Sequence, residues 1–131
     1  MKEMIYSNKN KRELLYEGTY LAFKYYILNL GTHPTAYVEI PKQHKYFCKD
    51  YNDIDIDVHG GLTYSGDWLM VSEDKKIENS WFLGWDYAHC DDYCGFYLFD
   101  TDFLNEHTKK WTTEEIIKDC KSVIEQLKER R

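Results

Sequence analysis

The sequence predicts an α+β domain, in which a mainly antiparallel sheet is covered by one amphipathic C-terminal helix. Aromatic and aliphatic runs without helical periodicity, separated by glycine and proline, fill the chain before the last twenty residues. One stretch with helical periodicity follows at the end. The length of 131 residues, 43% of them hydrophobic, suits one core. We therefore predict a single domain over 1–131, with 1–12 as a flexible or peripheral segment.

Six runs are predicted to be strands, and short polar segments join them. The sequence Gly31-Thr32-His33-Pro34 predicts a reversal, and Pro41 should end a strand because it has no N–H donor. Residues 42–52, 73–79 and 90–103 are predicted to be connections, the last of them looping over the sheet. The predicted strands are Leu14–Tyr16, Tyr20–Leu30, Ala36–Ile40, Asp53–His59, Leu62–Met70 with an interruption at Ser65-Gly66-Asp67, and Trp81–Tyr87. The start of the second, Tyr20 to Phe23, could instead open a short helix.

The C-terminal helix is predicted over 113–130. Thr112 and Glu115 have the spacing of a capping box, and the following apolar residues recur at helical spacing. This apolar stripe predicts packing on one face of the sheet. Its members are Ile116, Ile117, Cys120, Val123, Ile124 and Leu127.

The segment 53–59 alternates acidic and apolar residues and then reaches Gly60-Gly61. In a strand, Asp53, Asp55, Asp57 and His59 would share one face, because successive side chains point to opposite faces. Such a row requires water, a metal or a polar ligand between its members, so it is a candidate functional surface. A solvated edge strand is the ordinary alternative. A metal held by Asp57, His59 and His89 is another, since both residue types bind divalent ions.

A second candidate block follows the strand that ends near Tyr87. Asp86 and His89 could form a pair that orients an imidazole for acid–base chemistry, or a buried hydrogen bond that closes a loop. Cys90 and Cys94 have no second cysteine pair, which argues against a structural zinc site. The turn at Gly60-Gly61 is either a tight reversal or a point of close backbone approach.

Composition excludes several classes of function. The net charge is −6, and the only arginines are Arg12, Arg130 and Arg131, so binding to nucleic acid polymers is not expected. No secretory leader or membrane-spanning run is visible, which predicts a cytoplasmic protein with reduced cysteines. Twelve tyrosines and four tryptophans suit either an aromatic core or a pocket and subunit interface, and predict a homo-oligomer.

Four segments and the final helix resemble a family of small proteins common in bacteriophages, prophages and bacteria. The segments are Ala36 to Pro41, Lys49 to Asp55, Asp57 to Ser65 (Asp-Val-His-Gly-Gly-Leu-Thr-Tyr-Ser) and Trp81 to His89 (Trp-Phe-Leu-Gly-Trp-Asp-Tyr-Ala-His). The resemblance spans roughly 14–128 and implies a site at His59, Thr63, Asp86, His89 and Asp91. It departs after His89, where Cys90-Asp91-Asp92 replaces the usual glycine.

The resemblance favours a phage-type protein that binds a small polar or nucleotide-derived ligand, such as a sponge for an immune signal of the host, without a cofactor. The alternatives are a hydrolase or lyase that uses His59, Asp86 and His89, and an acidic inhibitor that binds a host protein. The absence of familiar enzyme signatures favours binding. The pocket is predicted to be formed by His59, Gly60, Gly61, Thr63, Tyr64, Trp85, Asp86, His89 and Asp91.

Overall fold

Five antiparallel strands and one long helix make up the fold in a computed structural model that describes residues 1–6, 12–89, 92–93 and 108–130. The strand order in the sheet is β1-β2-β3-β5-β4, and the helix packs on one face of the sheet. The predicted α+β class is therefore confirmed. The elements are β1 Glu13–Tyr20, β2 Phe23–Asn29, β3 Pro34–Ile40, β4 Tyr64–Ser72, β5 Lys75–Asp86 and α1 Thr113–Glu129, with a short 3-10 helix at Tyr51–Asp53.

The main core lies between the sheet and α1. Alternate residues of the central strands point to the helix, and they are fully or nearly fully buried together with the apolar stripe of α1. The capping box predicted at Thr112 and Glu115 is present in both directions. Of the predicted stripe, only Ile117 is left half-buried. The buried members on the helix are Ile116, Cys120, Val123, Ile124 and Leu127.

A second, smaller core lies on the opposite face of the sheet. The two edge strands, β1 and β4, approach each other there, and Arg12 donates from Nη1 to the carbonyl oxygen of Met70 at 3.2 Å. The buried residues of this face are Tyr26, Leu28, Leu69, Val71 and Phe82. The sheet thus has a face covered by the helix and a face that its own edges partly enclose.

The predicted strand at 53–59 is wrong, although its alternation of burial is present. Residues 54–63 have no regular secondary structure, while Asp53, Asp55 and Asp57 are exposed and Ile56 is buried in the main core. The segment runs beside α1 and not beside a strand. The side chain of Gln126 bonds both the N–H and the carbonyl of Asp57, each at 2.8 Å. A helix side chain therefore takes the place of a strand neighbour.

The predicted connection at 73–79 is also too long. Only Glu73-Asp74 forms the turn, and β5 begins at Lys75 and pairs back along β4. The interruption predicted at Ser65-Gly66-Asp67 corresponds to a register shift between Gly66 and Trp68. Charged side chains on an exposed hairpin do not prevent pairing, because the backbone makes the ladder.

The turn between β1 and β2 contains only Leu21 and Ala22, with φ of 48° and 70°. Two consecutive positive φ values are typical of a type I′ turn, which normally takes Asn and Gly. Neither leucine nor alanine favours this region. The hairpin therefore holds its turn in a conformation that the turn residues themselves disfavour.

The N-terminal residues 1–6 lie against the start of α1. Glu3 accepts a hydrogen bond from the N–H of Thr113 at 3.1 Å, and the carbonyl of Lys2 accepts one from the hydroxyl of the same threonine. Met4 packs on the main core. This part of the segment predicted as flexible or peripheral is thus tied to the helix. Within the described residues, no helix combines the length and apolar character needed to cross a membrane.

Candidate functional site

Three histidines meet where the ends of β3 and β5 lie side by side. Thr35 pairs with Asp86, and the N–H of Tyr87 donates to Pro34 at 3.1 Å, so the residues before β3 and after β5 are neighbours. The irregular segment 54–63 reaches the same place, because Thr63 donates from its N–H to Gly84 at 2.9 Å. We call the resulting group the histidine cluster. It consists of His33, His59, His89, Asp86 and Asp92.

His59 is held by a buried carboxylate. Its Nε2 lies 2.8 Å from Oδ2 and 3.0 Å from Oδ1 of Asp92, whose side chain is 2% exposed. Asp92 also accepts from Trp111 Nε1 at 2.8 Å and from the N–H of His89 at 3.1 Å. Three donors thus surround one carboxylate, as a buried charge requires. The imidazole of His59 is oriented by this group while its own side chain stays 28% exposed.

Two aromatic rings pack against His59. Tyr87 stacks on it with a centroid distance of 5.1 Å and an interplanar angle of 8°, and Trp111 lies 4.8 Å away. The hydroxyl of Tyr87 donates to Asp119 at 2.6 Å and accepts from Trp85 Nε1 at 2.9 Å. Burial and the bond to Asp119 raise the pKa of Tyr87 far above its ordinary range. Tyr87 is therefore a neutral, fixed platform for the imidazole.

His89 forms the second half of the cluster. Its Nε2 lies 3.4 Å from Oδ1 of Asp86. The angles at this contact do not fit a hydrogen bond, so the buried nitrogen has no hydrogen-bond partner. Asp86 is fixed from its other side by the hydroxyl of Thr63 at 3.0 Å and by the N–H of Ala88 at 3.1 Å. The imidazoles of His59 and His89 meet edge to face with centroids 5.4 Å apart.

Gly60 makes room for His89. A Cβ at this position would lie 1.9 Å from Nε2 of His89, and the backbone has φ of 70°, which glycine adopts without strain. Gly61 also has a positive φ, of 80°, but its Cβ would meet nothing within 4 Å. The predicted turn is present, with the N–H of Gly61 donating to Val58 at 2.8 Å. The glycine pair thus has two distinct roles, a turn and a close approach.

His33 completes the cluster from the turn before β3. Burial lowers its pKa, while the negative charges of Asp86 and Asp92 act in the opposite direction and His89 adds to the lowering. Its Nδ1 lies 2.9 Å from the hydroxyl of Thr32. The third imidazole is therefore electrostatically coupled to the other members.

The predicted site residues do not all come together. His59, Gly60, Thr63, Asp86 and His89 converge, while Asp91 lies outside the described residues. Trp85 is 1% exposed and belongs to the main core, and Tyr64 packs on the opposite face of the sheet. Trp85 is buried behind Tyr87, to whose hydroxyl it donates, and alternation along β4 places Tyr64 on the other face, so neither lines the cluster.

The metal alternative is not supported by the described part of the chain. No group of three or more His, Cys, Asp or Glu side chains there is arranged to hold a metal ion, which includes Asp57, His59 and His89. Asp57 is exposed and uses its backbone to bind Gln126. The acidic row and the histidines therefore belong to different surfaces.

Sequence reasoning did not identify two members of the cluster, His33 and Asp92, or Trp111, which packs against His59. Asp92 is adjacent to the predicted Asp91, and the pair of aspartates after His89 was the available signal. His33 stood inside a segment that was interpreted only as a turn. Nothing in the sequence around Trp111 marked it as a partner of a carboxylate.

The comparisons with known proteins do not identify the cluster. No family model, no curated protein and no solved structure matches this chain. The resemblance to a phage-type family stays a prediction, and the function has to be argued from the geometry of the cluster.

Proposed function

We propose that the histidine cluster binds a small, negatively charged polar ligand and that the protein sequesters this ligand. The observation that supports the proposal is the edge-to-face contact of His59 and His89, which come from separate segments of the chain. His33 adds a third imidazole close enough to Asp86 and Asp92 to interact with their charges. Imidazole nitrogens donate hydrogen bonds to anionic oxygens, and such charge-assisted bonds are strong. Histidines gathered from distant segments at one place suit a site better than they suit a core.

Two features of the cluster favour capture. Asp92 and Asp86 fix the positions of His59 and His89 before any ligand arrives, so less side-chain entropy is lost on binding. The buried Nε2 of His89 has no hydrogen-bond partner. A ligand oxygen that draws this nitrogen off Gly60 would supply the missing bond, which would favour the bound state.

A nucleotide-derived signal is the ligand class that we propose. It rests on the phage-type resemblance, and Lys109, whose Nζ lies 3.9 Å from the ring centroid of Trp111 beside His59, adds positive charge next to the cluster. A protein of this kind would act as an anti-defence sponge in the cytoplasm of the infected cell.

The second candidate is an enzyme, which one specific observation favours. A buried carboxylate that orients a half-exposed imidazole, as Asp92 orients His59, is the arrangement of a general base. His89, with Asp86, would then serve as the acid for a leaving group in a hydrolase or lyase. We rank it second because the hydroxyl of Thr63 donates to Asp86 and the hydroxyl of Thr32 bonds His33, so neither is bonded to His59, the proposed base.

The decisive experiment incubates the protein with a panel of linear and cyclic nucleotides, removes unbound molecules and releases the bound ones by heat. Mass spectrometry should return an intact nucleotide. An altered nucleotide would favour the enzyme. If no nucleotide is recovered in either form, both proposals are overturned, and an acidic inhibitor that binds a host protein is favoured. His89→Gln should lower retention about ten-fold or more, because a charge-assisted bond is lost. Asp53→Asn, an exposed carboxylate outside the cluster, is the control and should retain the nucleotide.

The homo-oligomer expected from the aromatic content remains part of this proposal. Among the described residues, the large apolar side chains that are most exposed are Met1, Ile5, Leu21 and Trp68. Light scattering of the purified protein should give a mass above that of one 15.8 kDa chain. A mass of one chain at micromolar concentration would remove the oligomer from the proposal.

A further inference from the structure

A recess on the sheet face opposite α1 is built from aromatic rings and one arginine. Its volume is about 220 Å³, and it lies between the edge strand β4 and the residue that precedes β1. Drug-sized ligands occupy roughly 300–1,000 Å³, so this recess suits one planar aromatic group. It lies on the face opposite Tyr87, the ring on which His59 stacks, and its residue Tyr64 directly follows Thr63, which bonds Asp86. We call it the aromatic recess. Its lining residues are Arg12, Tyr37, Tyr64, Trp68, Leu69 and Met70.

Two glycines leave room for the tyrosine rings that form the floor of the aromatic recess. A Cβ at Gly84 would lie 2.4 Å from Cδ1 of Tyr37, and a Cβ at Gly66 would lie 2.3 Å from the hydroxyl oxygen of Tyr64. Neither glycine has a positive φ, so the backbone does not require them. What requires them is space, since each tyrosine ring lies over a glycine on the sheet surface. The result is a shallow aromatic floor.

The rings of this floor are fixed in position. Tyr37 and Tyr64 meet edge to face with centroids 5.6 Å apart, and the hydroxyl of Tyr64 donates to the carbonyl of Trp68 at 2.6 Å. Burial raises the pKa of Tyr64, so its hydroxyl remains neutral and does not repel an anion. Trp68 is 44% exposed at the edge of the floor. Its indole is turned away from the floor, because the next residue, Leu69, points into the second core, and Lys76 Nζ lies 5.1 Å from the indole centroid.

Arg12 supplies the positive charge. Its backbone N–H donates to Glu73 at 2.7 Å, and among the described residues its guanidinium makes one hydrogen bond, to Met70. A guanidinium has five donors, so several remain for a ligand. Arg12 is also the only arginine outside the last two residues of the chain. An arginine next to two aromatic rings can bind carboxylate or phosphate while the rings hold a planar group.

We propose that the aromatic recess is a second binding site, which takes a planar aromatic ring that carries a negatively charged group. The ring lies on Tyr37 and Tyr64, and the anion is bound by Arg12. A nucleotide and an aromatic carboxylate both have this chemistry. The site is independent of the histidine cluster, so either proposal can fail without the other.

The test follows the four indole Nε1–H signals in a ¹⁵N-labelled protein, assigned by single Trp→Phe variants. Trp68 reports on the aromatic recess and Trp111, which donates to Asp92, reports on the histidine cluster. The Nε1 groups of Trp81 and Trp85 donate to Lys49 and Tyr87 and serve as references. The probes are adenosine 5′-monophosphate and 2-naphthoate, with adenosine and ribose 5-phosphate as controls that lack the charge or the ring.

We expect the Trp68 signal to shift with the nucleotide, with naphthoate or with both. The probe that causes the shift shows whether the site takes nucleotides, aromatic carboxylates or both classes. Adenosine and ribose 5-phosphate should bind at least about ten-fold more weakly, because each lacks one of the two contacts. Arg12→Gln should weaken binding about ten-fold, and Arg130→Gln, at the end of α1, should leave it unchanged. A retained Trp85 signal verifies that each variant is folded.

Three outcomes would overturn the proposal: no shift of Trp68 with either charged probe, equal binding of adenosine, or full affinity in Arg12→Gln. A shift confined to Trp111 would also overturn it, while supporting the histidine cluster as the ligand site. Tyr37→Ala, which removes one ring of the floor and is read from the ligand signals, should lose binding about ten-fold or more. Unchanged affinity in that variant would count equally against the aromatic recess.

Discussion

Histidines lie near both ends of α1, and their environments differ. At the C-terminal end, His44 is 6% exposed, with Nε2 at 2.7 Å from the carbonyl of Leu127 and Nδ1 accepting from the N–H of Tyr46 at 3.0 Å. Before the N-terminal end, His59 is 28% exposed and bonds the carboxylate of Asp92. Backbone groups use both nitrogens of His44, whereas a carboxylate uses one nitrogen of His59.

This difference separates a structural histidine from a candidate functional one. Because Nδ1 of His44 accepts a hydrogen bond, Nε2 must carry the proton, so the imidazole is one neutral tautomer with no capacity left for a ligand. His59 is oriented by a side chain and keeps an exposed edge. Mutations at the C-terminal end should therefore change stability alone. Mutations in the histidine cluster should change ligand retention. Only those that leave a buried hydrogen-bond donor without an acceptor should also destabilise the protein.

The largest effect is expected for Asp92→Ala. The substitution leaves three buried donors, from His59, Trp111 and the backbone of His89, without their acceptor. We expect the free energy of unfolding to fall by about 3 kcal/mol, measured by urea denaturation. Asp86→Ala is the matched control, because that carboxylate is 26% exposed and water can replace it. Equal losses in the two variants would show that burial of Asp92 does not matter.

His44→Leu should lower the free energy of unfolding by about 2 kcal/mol, since the N–H of Tyr46 loses its acceptor and the carbonyl of Leu127 loses one of its partners. The variant should retain nucleotides as well as the unmodified protein does. His59→Leu is the counterpart, with a smaller stability change and loss of retention. If His44→Leu abolished retention at a temperature where it is folded, the comparison between the two ends would fail.

The glycine pair tests whether the close approach of His89 matters. Alanine at Gly60 or Gly61 meets a similar backbone penalty, because both φ values are positive, but only Gly60 would clash with His89. We expect Gly60→Ala to be less stable than Gly61→Ala by about 1 kcal/mol, and only Gly60→Ala should displace the ring of His89 in NMR spectra. Identical spectra for His89 in both variants would contradict this packing.

Much of the fold was predictable from sequence because its signals are local. Strand runs, the capping box and the apolar stripe of α1 each depend on neighbouring residues. The strand predicted over 53–59 is wrong because an alternating sequence shows which side chains are buried. It does not show which partner the backbone bonds. Gln126 is 69 residues away, and nothing local announced it.

The histidine cluster was only partly predictable for the same reason. His59, Asp86 and His89 stood in recognisable blocks, whereas His33 and Trp111 reach the cluster through the pairing of β3 with β5 and the position of the helix start. Trp85 and Tyr64 were assigned to the pocket by their place in those blocks, although strand alternation sends their side chains into the two cores. Long-range contacts thus decide which members of a block act together.

The turn at Leu21-Ala22, beside His44, is a place where substitution should increase stability. Leu21 and Ala22 line a cleft of about 440 Å³ together with His44, and both have positive φ values. Replacing them by Asn and Gly, the residues that favour a type I′ turn, should stabilise the protein by about 1 kcal/mol. The denaturation midpoint should rise without any change in nucleotide retention. A fall in stability would mean that the leucine side chain contributes more than its backbone costs.

The smallest effect is expected from the pH dependence of His33. Burial lowers the pKa of its imidazole below the ordinary value of 6.5, so the folded state binds this proton less readily than the unfolded chain. The stability contribution is therefore complete above pH 6.5 and is lost as the pH falls through the lowered pKa. Because Asp86 and Asp92 oppose the effect of burial, the loss should be small. His33→Gln should flatten the decline in unfolding free energy between about pH 7.5 and about pH 5.5, whereas His44→Gln should not abolish this part of it. An unchanged slope in His33→Gln would place the proton uptake on another member of the cluster.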